Sequence, residues 1–220
     1  MIGFWDYTVV LTFMSLASTV LGMTAAIRGR FTMAIIFLAL SGLLDGFDGK
    51  VARTKKDRTE AEKMYGIQLD SLCDVVCFGA FPALLCYRMG VSGFIGTLIM
   101  ILYCMFAVTR LAYFNVLEMD RQQAEGGSNK EYHGLPVTSI AAIYPVVYLV
   151  SFWVSGECKP FILGGMLLIT GILFVVDFRV KKLNTKQLLL LILGVAAVIG
   201  TAIYFYHYSR VISSRWFILW

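Results

Sequence analysis

Phe31–Arg53, which holds the candidate span Phe31–Val51, reads FTMAIIFLALSGLLDGFDGKVAR, and Gly66–Arg88 reads GIQLDSLCDVVCFGAFPALLCYR. Each run is long enough to cross a bilayer as a helix, which takes about 20 mostly apolar residues. Each also carries two aspartates at the end nearer the linker between the runs: Asp45 and Asp48 in the first, Asp70 and Asp74 in the second. A carboxylate at membrane depth costs about 2.5–3.5 kcal/mol on insertion scales, so such residues face the interior of a bundle. Asp45 and Asp48 are three apart and Asp70 and Asp74 four apart, spacings that put each pair on one helix face. The short linker makes the two helices antiparallel neighbours, and the four carboxylates are expected to converge at one depth. Hard divalent cations prefer carboxylate oxygens, so Mg²⁺ or Mn²⁺ is the expected counter-charge. The competing reading is a buried ion network in which Lys50 and Arg53 neutralise the aspartates.

The rest of the chain supports a membrane setting. Of 220 residues, 59% are hydrophobic and only 15% charged, and the mean hydropathy is +0.76. Those values exclude an ordinary soluble domain. Further candidate spans are Thr8–Ile27, Gly93–Asn115, Leu135–Ser155, Phe161–Val176 (the shortest) and Leu188–Tyr206. The fold class is therefore all-α, a polytopic transmembrane helix bundle of about six to eight spans with seven the best count. Strict apolar/polar alternation is absent, which argues against a β-barrel. The start, Met1–Thr8, has Asp6 and no basic residue, so the first span is expected to be retained rather than cleaved.

Placing the Thr54–Tyr65 linker in the cytoplasm puts thirteen of the nineteen Lys and Arg residues on that side, as the positive-inside rule favours. The net charge of +5 then points to anionic headgroups and phosphate-bearing substrates, not to nucleic acid. Trp5, Trp153, Trp216 and Trp220 fall near span ends, where interfacial anchors sit. Gly42-x-x-x-Gly46 is expected to let the second helix approach a neighbour closely. Gly46, Gly49 and Gly66 leave room for a phosphate or nucleotide beside the aspartates. Arg53, about two turns from Asp45, offers a planar guanidinium suited to diphosphate oxygens. Arg121–Tyr132 reads as the longest polar loop. Arg110, inside a span, needs a partner there, either an anionic group of a substrate or an aspartate.

Asp45, Asp48, Gly49, Ala52, Arg53, Gly66, Asp70 and Asp74 fill every fixed position of D-x2-D-G-x2-A-R-…-G-x3-D-x3-D. This pattern resembles the signature of the CDP-alcohol phosphotransferases. Leu69–Ala83, Arg110-Leu111-Ala112-Tyr113-Phe114-Asn115 and Gly134-Leu135-Pro136-Val137-Thr138 resemble the integral-membrane phosphatidylserine synthases within that family. The resemblance runs from about Ser41 to Ala142; the last two spans agree in hydropathy only. There are two departures. The twelve residues Thr54–Tyr65 exceed the family's usual spacing by about one turn, expected as an added turn in a cytosolic loop. The first span offers Thr12, Ser15 and Ser18 where relatives often carry an Asn.

The resemblance implies transfer of a phosphatidyl group from CDP-diacylglycerol to the hydroxyl of L-serine, with release of CMP. It implies a divalent-metal site for Mg²⁺ or Mn²⁺, with two ions expected, formed by Asp45, Asp48, Asp70 and Asp74. Asp74 would complete the metal shell or act as the base. Asp45, Gly49, Ala52, Arg53, Gly66 and Asp70 would line the CDP site. Arg110 and Asn115 are candidates for the acceptor or a lipid phosphate. It further implies one integral-membrane domain over 1–220, with a catalytic core over about 8–155 and C-terminal spans over about 160–207. The setting would be the cell membrane, with the site at the cytoplasmic face, and the partners CDP-diacylglycerol, serine, membrane lipids and a second copy as a homodimer. Alternatives are another acceptor (glycerol 3-phosphate or inositol phosphate), an ether-lipid donor or, in a different class, a membrane cation transporter.

Overall fold

The structure is a computed structural model, and it describes residues 3–55, 57–123 and 131–181, with the isolated positions 194 and 200 beyond them. Five helical segments are long and apolar enough to cross a membrane: Tyr7–Ile27, Phe31–Ala52, Glu60–Arg88, Gly93–Met119 and Gly156–Val175. Val137–Trp153 is a shorter apolar helix. The chain is thus an all-α, multi-pass bundle, as its composition implies. The seventh expected span, Leu188–Tyr206, lies outside the described residues apart from Gly194 and Gly200.

The regular elements are α1 (Val10–Ile27), α2 (Phe31–Ala52), α3 (Glu60–Asp74), a π-helical segment (Val75–Ala80), α4 (Phe81–Arg88), α5 (Gly93–Gln123), β1 (Glu131–His133), α6 (Ile140–Val150), α7 (Lys159–Val175) and β2 (Arg179–Lys181). The only strands among the described residues are β1 and β2, which pair antiparallel with Tyr132 opposite Val180.

α1 and α2 form the most extensively packed pair. Their reversal is a Schellman motif. Gly29 adopts φ +73°, Arg30 N–H donates to Ala25 O (2.9 Å), and Gly29 N–H donates to Ala26 O (3.0 Å). Arg88, at the end of α4, donates to the last carbonyls of α1, Ala26 O (3.3 Å) and Ile27 O (2.8 Å). Small and hydroxylated residues fill the seam. Ser15 reaches Ser41 Oγ (2.9 Å), Thr19 donates to the same oxygen (3.0 Å), and Ser18 donates to Phe37 O (2.9 Å). The core beyond that seam is built on Leu38, Phe78, Phe81, Leu85, Tyr103, Tyr144, Leu163 and Leu167, all fully buried. Phe94, Phe161 and Trp153 point outward and are 85%, 81% and 77% exposed, as lipid-facing positions are.

Three expectations need correction. First, the short apolar segment is the fifth, not the sixth. Gly134 at φ +74° and Pro136 delay the helix start to Val137, and α6 carries Pro145 inside it, which lacks a backbone N–H to donate. The sixth span starts earlier than its hydropathy suggests, because Gly156–Cys158 winds as a 3₁₀ turn into α7. Second, the extra residues of the linker are not a loop turn. α3 begins at Glu60, where Thr59 and Glu62 form a capping box: Glu62 N–H donates to Thr59 Oγ1 (3.2 Å) and Thr59 N–H to Glu62 Oε2 (2.7 Å). Third, α5 runs to Gln123 into the stretch Arg121–Tyr132 read as a loop. No Gly or Pro stops the helix before Gly126, and Glu, Met, Arg and Gln sustain it.

Gly42 meets α6 so closely that a Cβ there would lie 2.4 Å from Ala141 Cβ, the close approach expected of it. Gly46, its partner in the motif, faces open space instead.

Candidate metal centre

Asp45 and Asp48 occupy the last two turns of α2; Asp70 and Asp74 lie in the last two turns of α3. One carboxylate oxygen from each of Asp45, Asp70 and Asp74 falls within 4.8 Å of the others. Asp45 meets Asp74, and Asp48 meets Asp70. Asp48 and Asp74 are buried, each 8% exposed. Thr12 of α1 donates to Asp48 Oδ2 at 2.9 Å. The four carboxylates therefore form one group, contributed by two helices and steadied by a third.

What neutralises them decides between the two readings. Two full negative charges 4.8 Å apart repel by about 3 kcal/mol at an effective dielectric near 20. Among the described residues, the ion pairs join Lys55 to Asp6 and Glu62, and Lys63 to Glu60; none reaches the four aspartates. Lys50 lies over the Phe47 ring, 5.1 Å from its centroid. Arg53 caps α2 and is exposed. The buried ion network with Lys50 and Arg53 does not form. Asp70 Oδ1, moreover, is buried and has no hydrogen-bond partner. A buried carboxylate oxygen left without a donor is costly, and an all-oxygen donor set suits a hard divalent cation. The residues present fit such a metal.

The glycines of the motif differ in their surroundings. A Cβ at Gly46 would meet nothing within 4 Å, and one at Gly49 would sit 4.0 Å from Arg53 Nη2. A Cβ at Gly66 would come within 2.7 Å of Arg58 Nη2. Ala52 is the final residue of α2, half-buried beside Arg53.

Asn115 of α5 accepts a hydrogen bond from Ser71 Oγ at 2.6 Å. It thereby sits against α3 between Asp70 and Asp74 in sequence. Arg110 is buried in α5, with its guanidinium 5.7 Å from the Phe114 ring. A Cβ at Gly134 would lie 3.6 Å from Arg110 Nε, which places the arginine at the turn that opens the fifth span.

The π-helical segment that follows Asp74 was not anticipated, and its cause is local. Pro82 has no N–H for the Phe78 carbonyl four residues earlier, and its ring crowds that carbonyl. The freed oxygen accepts from Tyr103 Oη at 2.6 Å, and Gly79 O accepts from Cys104 Sγ at 3.7 Å. Tyr103 is fully buried. Single-turn π segments recur at functional sites, and this one begins at the residue after Asp74.

The family model for CDP-alcohol phosphatidyltransferase matches residues 7–178. The chain belongs to this family. The matched region is wider than Ser41–Ala142, where the motifs lie, and it takes in α1 and α7. A 179-residue stretch is 30% identical to a protein of Helicobacter pylori named CDP-diacylglycerol–serine O-phosphatidyltransferase, covering 77% of this chain and 71% of that one. A protein of the same name from Mycobacterium bovis is 31% identical over 178 residues, 72% of this chain and 58% of its own length. The archaetidylserine synthase of Methanothermobacter thermautotrophicus is 33% identical over 145 residues, 66% of this chain and 58% of its own length. The chain thus spans less than two thirds of two of these three relatives. As a CDP-alcohol phosphatidyltransferase, the chain is not read as a cation transporter.

Proposed function

We propose that this chain is a phosphatidylserine synthase, transferring a phosphatidyl group from CDP-diacylglycerol to L-serine and releasing CMP. The observation that carries this reading is the four-aspartate group, which no ion pair among the described residues reaches, in a chain whose relatives are named for serine products. The bacterial and archaeal relatives differ in the lipid their names imply and agree on serine, so the acceptor is the better supported half of the assignment.

Asp45, Asp48, Asp70 and Asp74 would hold one or two divalent cations, Mg²⁺ or Mn²⁺, which supply positive charge to the phosphate oxygens. Thr12 keeps Asp48 oriented within the group. Gly46 and Gly49 leave the α2 backbone open to the nucleotide, and Ala52, Arg53 and Gly66 line its approach. Asp74 accepts the proton of the serine hydroxyl as the serine oxygen bonds to the lipid-bearing phosphorus. The bond from that phosphorus to the CMP phosphate oxygen breaks, and CMP leaves. A carboxylate in hydrogen-bond reach of the hydroxyl suits this general-base role. Asn115 and Arg110 are the candidate contacts for the serine carboxylate or a lipid phosphate.

The excess of Lys and Arg on the linker side supports a site at the cytoplasmic face of the cell membrane. The family resemblance also implies a homodimer, which light scattering of the detergent-purified chain reads directly.

An acceptor panel tests the proposal. The purified chain is given CDP-diacylglycerol, Mn²⁺ or Mg²⁺, and serine, glycerol 3-phosphate or inositol phosphate, and CMP and lipid product are followed together. Serine-dependent CMP release that is lost in Asp74→Asn supports it. Turnover only with a phosphorylated acceptor overturns the serine assignment.

A further inference from the structure

Arg58 belongs to the linker by which this chain exceeds the family's usual spacing, and the signature motif does not include it. The structure folds it back onto α3. Arg58 Nη2 donates to Glu62 O at 3.1 Å, and the same nitrogen occupies the space a side chain at Gly66 would need. Arg58 Nε is buried and has no hydrogen-bond partner. The side chain is half-buried, whereas Arg53, the arginine of the motif, is exposed. Glu62, Gly66, Asp70 and Asp74 recur at four-residue spacing, so they share one face of α3. The Arg58 guanidinium therefore lies on the face of the aspartates, one turn outward from Asp70. A guanidinium has five donors in a fixed fork, and a buried N–H left unmatched is costly. Its position is where a phosphate held at Asp70 would continue outward.

We propose that Arg58 is a nucleotide-binding residue of this chain, closing its guanidinium on the phosphate of the CMP moiety of the donor. The inference rests on the nucleotide reading of the site given above. It assigns to the extended linker a specific task, supplying a second planar cation at a position the motif fills with glycine alone. Gly66 leaves room for that cation. An alanine there would displace the end of a flexible side chain, not backbone, so Gly66→Ala is expected to fold with Arg58 moved out of place.

CMP binding to the detergent-purified full chain, measured by isothermal titration calorimetry with and without Mn²⁺, tests this. Cytidine serves as the phosphate-free comparison, and thermal melting confirms that each variant is folded. Arg58→Gln is expected to weaken CMP binding by about tenfold, the worth of a charge-assisted hydrogen bond. Arg58→Lys, which keeps charge but not the fork, is expected to fall between. Cytidine is expected to bind wild type and variants alike. CMP affinity in Arg58→Gln within twofold of wild type overturns the proposal, and so does an equal loss of cytidine binding. If Arg58→Gln does not purify folded, Arg58→Lys decides by the same criterion. Wild-type protein that binds neither CMP nor cytidine overturns the nucleotide reading itself, a result distinct from a failure confined to Arg58.

Discussion

Asp48 takes its orientation from Thr12, a residue on a different helix, through a 2.9 Å hydrogen bond to Oδ2. Thr12→Val keeps the shape and removes the donor. A hydrogen bond to a charged group contributes about 1.5–3 kcal/mol, so catalytic turnover is expected to fall about tenfold or more with the protein still folded. Steady-state CMP release alongside a thermal melt checks this, and unchanged turnover would detach Thr12 from the site. At this scale the sequence is informative about Asp45, Asp48, Asp70 and Asp74, since spacing on two linked spans dictates a common face. It is less informative about Thr12, one of five hydroxyl residues in α1, of which Ser15 and Thr19 turn to Ser41 and Ser18 to Phe37 instead. Arg58 is harder still to foresee, because its place at Gly66 depends on how the linker folds back.

The π-helical segment starts directly after Asp74 and is held by a donor from another helix. Tyr103→Phe removes the donor to the Phe78 carbonyl and leaves a buried oxygen unmatched. A loss of about 1–3 kcal/mol is expected, seen as a lower melting temperature in detergent. The α2–α6 contact predicts a second loss. Gly42→Ala would force a Cβ to within 2.4 Å of Ala141 Cβ, and overpacking of that kind costs about 1–3 kcal/mol. Gly46→Ala meets open space and is expected to melt like wild type. The GxxxG pattern alone treats the two glycines as equivalent; α6 approaches only one of them. The chain start is held to the linker by another local device. Lys55 Nζ bridges Asp6 (2.7 Å) and Glu62 (2.8 Å). The Lys55 ammonium, with a hydrogen bond from Thr8, lowers the Asp6 pKa from 3.8 to about 2, and Asp6 in turn raises that of Lys55. For Asp6 the folded value lies below the unfolded one, so its contribution is complete above about pH 4 and is lost as pH falls through about 2. For Lys55 the folded value lies above 10.5, so its contribution holds below that pH and fades as pH rises past it. Limited proteolysis of the linker is expected to be constant from about pH 5 to 9 and to rise in Lys55→Met.

Over the whole molecule, hydropathy marks the spans well because lipid demands a long apolar helix whatever its partners. It marks their ends poorly. Glu60, Gln123 and Gly156 are helix or turn residues set by caps, propensity and a 3₁₀ turn, and none of these changes the hydropathy of a window. Helix alternation puts Asp6 and the 53–59 linker at one end of the bundle, joined by Lys55, and the Arg28–Arg30 and Met89–Ser92 turns at the other, joined by Arg88. In a Cys158→Ser background, which removes an exposed thiol, Thr54→Cys is expected to resist a membrane-impermeant maleimide in intact cells. Ser92→Cys is expected to react, and the reverse pattern would invert the bundle. The claim on which the account turns is that the four carboxylates are a cation site. Mn²⁺ binding to the purified chain, followed by electron paramagnetic resonance, tests it most directly. The account predicts saturable binding in wild type that is lost in Asp70→Asn while the fold persists; equal Mn²⁺ binding by both proteins, or none by wild type, would contradict it.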